Sequence, residues 1–312
     1  MEFGLQLPQS GAITPDGIAA VARAARDAGL ASLWVSDHVV LPARTRSRYP
    51  FDPSGEFLFP PATPVGEALI TLAYAAGAAP GLKIGVSVLI LPQRNPVLAA
   101  KQLATLDVLS GGGLIVGVGA GWLEEEFVAL QVPTFAERGA VLDEYVALLR
   151  TLWTGDCARF DGRYYQVHDV YARPQPLQRP APPVWVGGHG RPSLRRAVRL
   201  GDGWHACFLG VAAFTAAVDR LGEEAARLGR PLGELTLSLR TRLAVLDTVD
   251  PAADDQLVGP PSLIAERIRA YEQAGASHLV LCVGSSAEPV SGILHHLERF
   301  TAEVLPLLRG GA

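Results

Sequence analysis

Short apolar runs alternate with longer stretches of helical periodicity along nearly the whole chain. The clearest unit is 82–126. Residues 84–91 are branched and almost wholly apolar and end at Pro92, the pattern of a parallel strand covered on both faces. Val97, Leu98, Lys101, Leu103, Leu106 and Leu109 then recur at mostly helical spacing until Ser110-Gly111-Gly112-Gly113 stops them. Residues 114–118 form the next buried run, which enters Gly119-Ala120-Gly121-Trp122 and the acidic turn Glu124-Glu125-Glu126. Small residues at a strand's carboxyl end let a ligand approach the backbone, and a helix amino terminus favours negative charge. A plain tight turn would read the same way.

The same rhythm predicts strands at 3–7, 32–36, 184–186, 204–208, 235–246 and 278–283, and helices at 16–28, 68–79, 135–153, 212–228, 262–274 and 292–308. A further helix closes at Leu200, and Thr14-Pro15 supplies a cap and a first helical residue for the first helix. Eight strand-helix units in 312 residues predict one α/β domain over 1–312, a closed (β/α)8 TIM barrel, with a doubly wound open sheet as the alternative. Two stretches break the rhythm. The connection 42–63 carries five prolines, Arg44, Arg46 and Arg48, and the aromatics Tyr49, Phe51, Phe57 and Phe59; it reads as a lid or as a surface excursion. Residues 155–182 read as an insertion between strands 4 and 5, with a small hairpin turning at Asp161-Gly162.

Composition narrows the function classes. Half the residues are apolar, which excludes a disordered chain. With 27 basic and 31 acidic residues, a net charge of −4 and no long basic cluster, nucleic acid is not an expected partner. Cys157, Cys207 and Cys282 are odd in number and lack a CxxC pair, which argues against a disulfide framework or structural zinc and fits the cytoplasm. The apolar runs are too short and too often interrupted to span a membrane, and a strand pattern begins where an export leader would stand. No metal is expected, because His295, His296 and Glu298 have no fourth ligand nearby.

In a barrel, chemistry gathers where strands end and helices begin. Asp37-His38 ends the second strand, and an imidazole suits general acid or base work; a structural histidine bonded to its acidic neighbour is the alternative. Gly187-Gly188-His189-Gly190-Arg191 combines glycines, a permanent charge and a helix start, three features that favour a phosphate; a plain βα loop whose arginine faces water is the alternative. Arg240 and Arg242 lie two apart on the seventh strand, beside Ser238, and share a face. If that face is the barrel interior, they require an anionic partner and are candidates for substrate recognition.

Taken together, Trp34-Val35-Ser36-Asp37-His38, Gly85-Val86-Ser87-Val88-Leu89, Arg94-Asn95-Pro96, Lys101 to Asp107, Gly117 to Trp122 with Glu125-Glu126-Phe127, Gly187-Gly188-His189 and Gly201-Asp202-Gly203-Trp204 resemble the luciferase-like monooxygenase superfamily. More narrowly they resemble its branch of oxidoreductases dependent on the deazaflavin coenzyme F420. The resemblance implies the same barrel, with the ring of the cofactor against a bulge at Ser87-Val88 that holds a non-prolyl cis peptide. It implies Asp37 and His38 beside the reactive part of the ring, with His38 as proton donor or acceptor. Gly121 and Trp122 would flank the cofactor tail, and Gly188, His189, Gly190 and Arg191 would hold its phosphate. Two departures stand out: Trp122 where some relatives have Glu, with neither Glu124 nor Glu125 an obvious replacement, and Gly113 where close relatives have Arg. The expected function is hydride transfer between F420 and a small-molecule substrate; the lid aromatics, Tyr49 and Phe51 among them, suggest an apolar or ring-containing one. The alternatives are an FMN monooxygenase fed by a separate reductase and a non-catalytic flavin-binding barrel. Relatives often form dimers, so a homodimer is the expected assembly.

Overall fold

The computed structural model describes residues 1–11, 13–52, 54–57, 59–249, 256–283 and 288–309. Eight parallel strands follow the apolar runs: β1 (Glu2–Gln6), β2 (Ser32–Val35), β3 (Lys83–Val86), β4 (Leu114–Gly119), β5 (Val184–Gly187), β6 (Gly203–Cys207), β7 (Thr236–Val245) and β8 (His278–Val283). Each pairs with the next, and β1 pairs with β8, so the sheet closes and the open-sheet alternative is excluded. Every residue of β2 and β4 is buried, because one face of each strand meets the barrel interior and the other meets helices.

Residues 84–91 are not one uninterrupted strand. Ile84 pairs with Leu114, but Leu89 pairs with Val118, so β3 and its continuation Leu89–Ile90 carry one residue more than β4 over the same span. The excess is the bulge at Ser87-Val88, whose peptide bond is cis as the resemblance implied. Glycines make room for it. A Cβ on Gly119 would lie 2.5 Å from one methyl of Val88, and a Cβ on Gly187 would lie 2.8 Å from the other.

Below the bulge the barrel interior is aromatic and polar at once. The Trp34 ring stacks on His205 at 5.1 Å and on Trp185 at 5.5 Å. Hydrogen bonds run from Ser87 Oγ to His205 Nε2 (2.7 Å), from His205 Nδ1 to Ser238 Oγ (2.9 Å), then to His278 Nδ1 (3.1 Å), and from His278 Nε2 to Ser32 Oγ (2.9 Å). Every buried polar atom along this path thus finds a partner. Burial lowers the pKa of both histidines, His278 to about 4, so both are neutral near pH 7.

The first helix cap acts as read. Thr14 Oγ1 accepts from Gly17 N at 3.1 Å at the start of helix Pro15–Asp27, a cap worth about 1 kcal/mol. In the insertion, strands Ala158–Asp161 and Gln166–Val170 pair antiparallel as expected, but Asp161 pairs with Gln166, so the turn runs over 162–165 rather than at Asp161-Gly162, and Glu144 accepts there from the backbone of Arg163, Tyr164 and Tyr165. Further elements go beyond the pattern. A short helix Glu124–Ala129 follows β4, a strand Leu257–Gly259 extends the sheet beside β7, and a π turn, Phe300–Val304, interrupts the last helical stretch. Among the described residues no helix is long and apolar enough to cross a membrane.

Candidate active site

The carboxyl ends of the strands surround three connected spaces. The first is a slot of about 110 Å³ at the barrel mouth, lined by Asp37, His38, Ser87, Val88, Trp122 and Gly188 together with lid aromatics. The second is a cleft of about 390 Å³ that shares Val88, Trp122 and Gly188 with the slot and adds Gly121, Arg138 and Arg196. The third is a chamber of about 430 Å³ on the side of β1, β7 and β8, sharing Ser36, His38, Phe59, Phe208 and Arg240 with the slot.

Asp37 and His38 are not each other's partners. The Asp37 carboxylate accepts from Arg94 Nη2 at 2.7 Å and from Ile90 N at 2.8 Å, tying the end of β2 to the segment just beyond the bulge. Arg94 also pairs with Glu67 at 2.9 Å. His38 instead meets Glu126, with Nδ1 at 3.1 Å from Oε2, while Glu126 Oε1 accepts from Val39 N at 2.6 Å and Val40 N at 3.2 Å. Burial alone would raise the Glu126 pKa, but His38 and the Val39 amide hold it below the ordinary value, so the carboxylate is ionised. An ionised carboxylate only accepts, so Nδ1 of His38 carries the proton and Nε2 is the atom left to exchange one.

The lid closes on this centre. Glu125 accepts from Ser47 Oγ at 2.7 Å and Ser47 N at 3.1 Å as well as from Arg46 N, and Glu124 N donates back to Ser47 Oγ at 3.1 Å. Glu125 burial opposes ionisation, yet these bonds bring its pKa down to about 2. Beside the latch, Tyr49 packs edge to face with Phe57 and Trp122, Phe57 and Trp122 lie tilted against each other, the centroids are 5.1–5.3 Å apart, and Phe57 lies 5.0 Å from His38. Phe51 turns its edge to His189 at 5.1 Å. His189 Nε2 accepts from Cys207 N at 3.0 Å; burial, with the charge of Arg220, pushes its pKa down to about 4 and leaves it neutral.

The remaining expected residues are spread more widely. Gly190 caps helix Arg191–Leu200, and the Arg191 side chain is 75% exposed and pairs with Glu224 at 3.1 Å. Arg240 and Arg242 both line the chamber. The residues that sequence reasoning passed over are Arg94, Glu126, Arg138, Arg196 and His205. Arg138 donates to Gly121 O at 2.9 Å and so shapes the turn beside the cleft. For Glu126 a signal existed: it is the acid of the 124–126 run that precedes the buried Phe127, on the inward face of its helix.

Fold and site together define a (β/α)8 barrel with its ligand spaces at the strand carboxyl ends. The chain belongs to the luciferase-like monooxygenase family, whose model matches residues 1–256. The chain spans 62% of the length of the uncharacterised Mycobacterium tuberculosis relatives that it matches at 36% identity over 184 residues, 59% of its own length. It is 31% identical over 295 residues to the FMNH(2)-dependent dimethylsulfone monooxygenase of Pseudomonas putida, covering 77% of this chain and 78% of that protein. It is 28% identical over 342 residues to the F420-dependent glucose-6-phosphate dehydrogenase of Kineococcus radiotolerans, covering 95% and 94%. The solved structure of a monooxygenase from Streptomyces bottropensis shares the fold with a TM-score of 0.78 at 20% identity, over 98% of this chain and 99% of that one.

Proposed function

We propose that this chain is an oxidoreductase dependent on coenzyme F420, acting on a small organic substrate held beneath the lid. The observation that carries the reading is that His38 lines both the slot and the chamber, so one proton-exchanging atom borders the two spaces. The slot's residues suit a planar heteroaromatic ring: Val88, Ile90, Phe57 and Trp122 offer apolar walls, and Ser36 and Ser87 offer a polar edge. Its 110 Å³ lies below the roughly 300 Å³ of ordinary ligand sites, so the lid aromatics have to withdraw for a ring to enter. Bound there, the deazaflavin would supply a ring carbon that exchanges hydride with the substrate and reacts poorly with oxygen. His38 Nε2 would give or take the accompanying proton, Glu126 would hold the imidazole in the required tautomer, and the closed lid would exclude water.

The choice of F420 over FMN is supported by charge. A surface cleft at Pro192 gathers Arg191, Arg195, Arg196, Arg199 and Arg227 around Asp143 and Glu224. The deazaflavin side chain carries carboxylates beyond its phosphate, whereas FMN ends at the phosphate. The second reading, an FMN-dependent monooxygenase, is favoured by the 31% identity to the Pseudomonas putida enzyme. Titration of the purified protein with each cofactor, followed by absorbance, tests the choice. F420 should bind at least tenfold more tightly. Tighter FMN binding, with oxygen consumed on addition of a reductase, would select the second reading, and tight binding without turnover across a broad substrate screen would leave a non-catalytic barrel.

A further inference from the structure

We infer that Arg240 is the anchor for an anionic group on the substrate, and that the chamber beside the slot takes an apolar molecule bearing one carboxylate-like charge. The inference rests on the slot being the cofactor's ring site, and it adds the substrate class.

The starting point is a charge without a counter-charge. Among the described residues Arg240 forms no ion pair, and its bonds are to Ser36 Oγ at 2.9 Å, to Ser87 O at 3.4 Å and to Cys282 Sγ at 3.6 Å. Its Nε is buried without a hydrogen-bond partner. A guanidinium has five N–H donors, and a buried one that lacks a carboxylate is costly unless a ligand completes it. Glu288 also lines the chamber and makes no ion pair with Arg240. The neighbouring Phe208 offers partial compensation: its ring lies 5.1 Å from the Arg240 guanidinium and 5.6 Å from that of Arg242. Phe208 reaches that position with φ of 53°, a left-handed conformation that is unusual for an aromatic residue. The backbone is thus bent so as to put an aromatic face under two arginines that line one space.

Leu7, Pro8, Val65, Leu243, Val258 and Ile293 give the chamber apolar walls, interrupted by Gln6, Gln9, Ser10 and Glu288, and its 430 Å³ is within the range of small-ligand sites. Arg240 and His38 both border the seam between chamber and slot. The charged group therefore sits at the end of the substrate that faces the reacting centre, and the apolar body fills the far end.

The test compares hexanoate with hexanamide, which differ in charge but hardly in shape, by calorimetric titration of the whole protein. Hexanoate should bind at least tenfold more tightly. Arg240→Gln should bring the two within about twofold, and Arg240→Lys, which keeps the charge, should retain part of the preference and show that the site still folds. Equal binding by the unaltered protein, no binding of either, or a preference that survives in Arg240→Gln would overturn the inference. Repeating the titration with saturating F420 or FMN separates substrate from cofactor: the hexanoate preference should persist, and competition would assign Arg240 to the cofactor's charge instead. A protein that binds neither cofactor but keeps the Arg240-dependent preference would defeat the cofactor reading and leave the anion site standing.

Discussion

His38 Nδ1 and Glu126 Oε2 meet at 3.1 Å although 88 residues separate them in the chain. The pair sets which imidazole nitrogen faces the ligand spaces. His38→Ala should lower turnover at least 100-fold while cofactor affinity stays within a few-fold, the usual size of an acid-base contribution. Glu126→Gln should keep the fold and lower kcat on the order of tenfold with little change in KM, because the tautomer is no longer enforced. Steady-state kinetics of both variants check this, and full activity in His38→Ala would remove that residue from the mechanism.

The lid latch is pH-sensitive in a defined direction. The Glu125 carboxyl falls from an ordinary 4.5 to about 2 in the closed form, so its contribution is complete above pH 4.5 and is lost as pH falls toward 2. Protection of the amides in 42–52, measured against their intrinsic exchange rates, should fall over that interval before the far-UV circular dichroism changes. In Glu125→Gln the protection should be low at every pH. A lid equally protected in the variant would place the latch elsewhere.

On the proposed reading, the aromatics that line the slot gate it. Phe57 touches His38, Tyr49, Phe59 and Trp122, so truncating it opens space without disturbing the barrel. Phe57→Ala should raise the cofactor association rate about tenfold, within the range over which gating by closure alters binding kinetics. Stopped-flow tryptophan quenching, with Trp122→Phe as the control that isolates the Trp122 signal from the other four tryptophans, reports the rate. An unchanged rate would mean that the lid is already open during encounter.

Arg191 tests the tail assignment through ionic strength. Its side chain is largely exposed and pairs with Glu224, so any attraction it exerts on an anionic tail acts through solvent and is screened by salt. Arg191→Ala should weaken cofactor binding several-fold at low salt and converge on the unaltered protein near 1 M. Affinity that is unchanged at low salt would exclude the residue from tail binding.

His278 predicts a stability profile. Its pKa falls from 6.5 to about 4, chiefly through burial, so the unfolded chain takes up a proton first as pH drops. Its contribution is complete above pH 6.5 and is lost toward pH 4, amounting to about 3 kcal/mol. Denaturant unfolding should show stability falling over that range, and His278→Gln should flatten the slope. An unaltered slope would assign the effect to other groups.

Much of this architecture was legible because it is local. A buried parallel strand reads as a short branched run wherever it occurs, and Thr14-Pro15 and Asp161-Gly162 mark their cap and turn within a few residues. The bulge was legible only through resemblance, since nothing in the composition around Ser87-Val88 distinguishes it from the rest of a strand. Glu126 escaped because three successive glutamates look alike in one dimension, while in the fold Glu124 offers its amide to the lid, Glu125 latches it and Glu126 turns inward to His38.

Periodicity and punctuation in the sequence therefore determined the eightfold alternation, and with it the end of the barrel at which ligand chemistry can occur, because both depend on which neighbours along the chain can be buried together. Tertiary structure alone decided that Asp37 belongs to Arg94 and His38 to Glu126, that the lid aromatics line the slot, and that Arg240, among the described residues, borders a chamber without forming an ion pair. Those pairings arise only when the sheet closes and distant strand ends converge, and no local pattern records which side chains then meet.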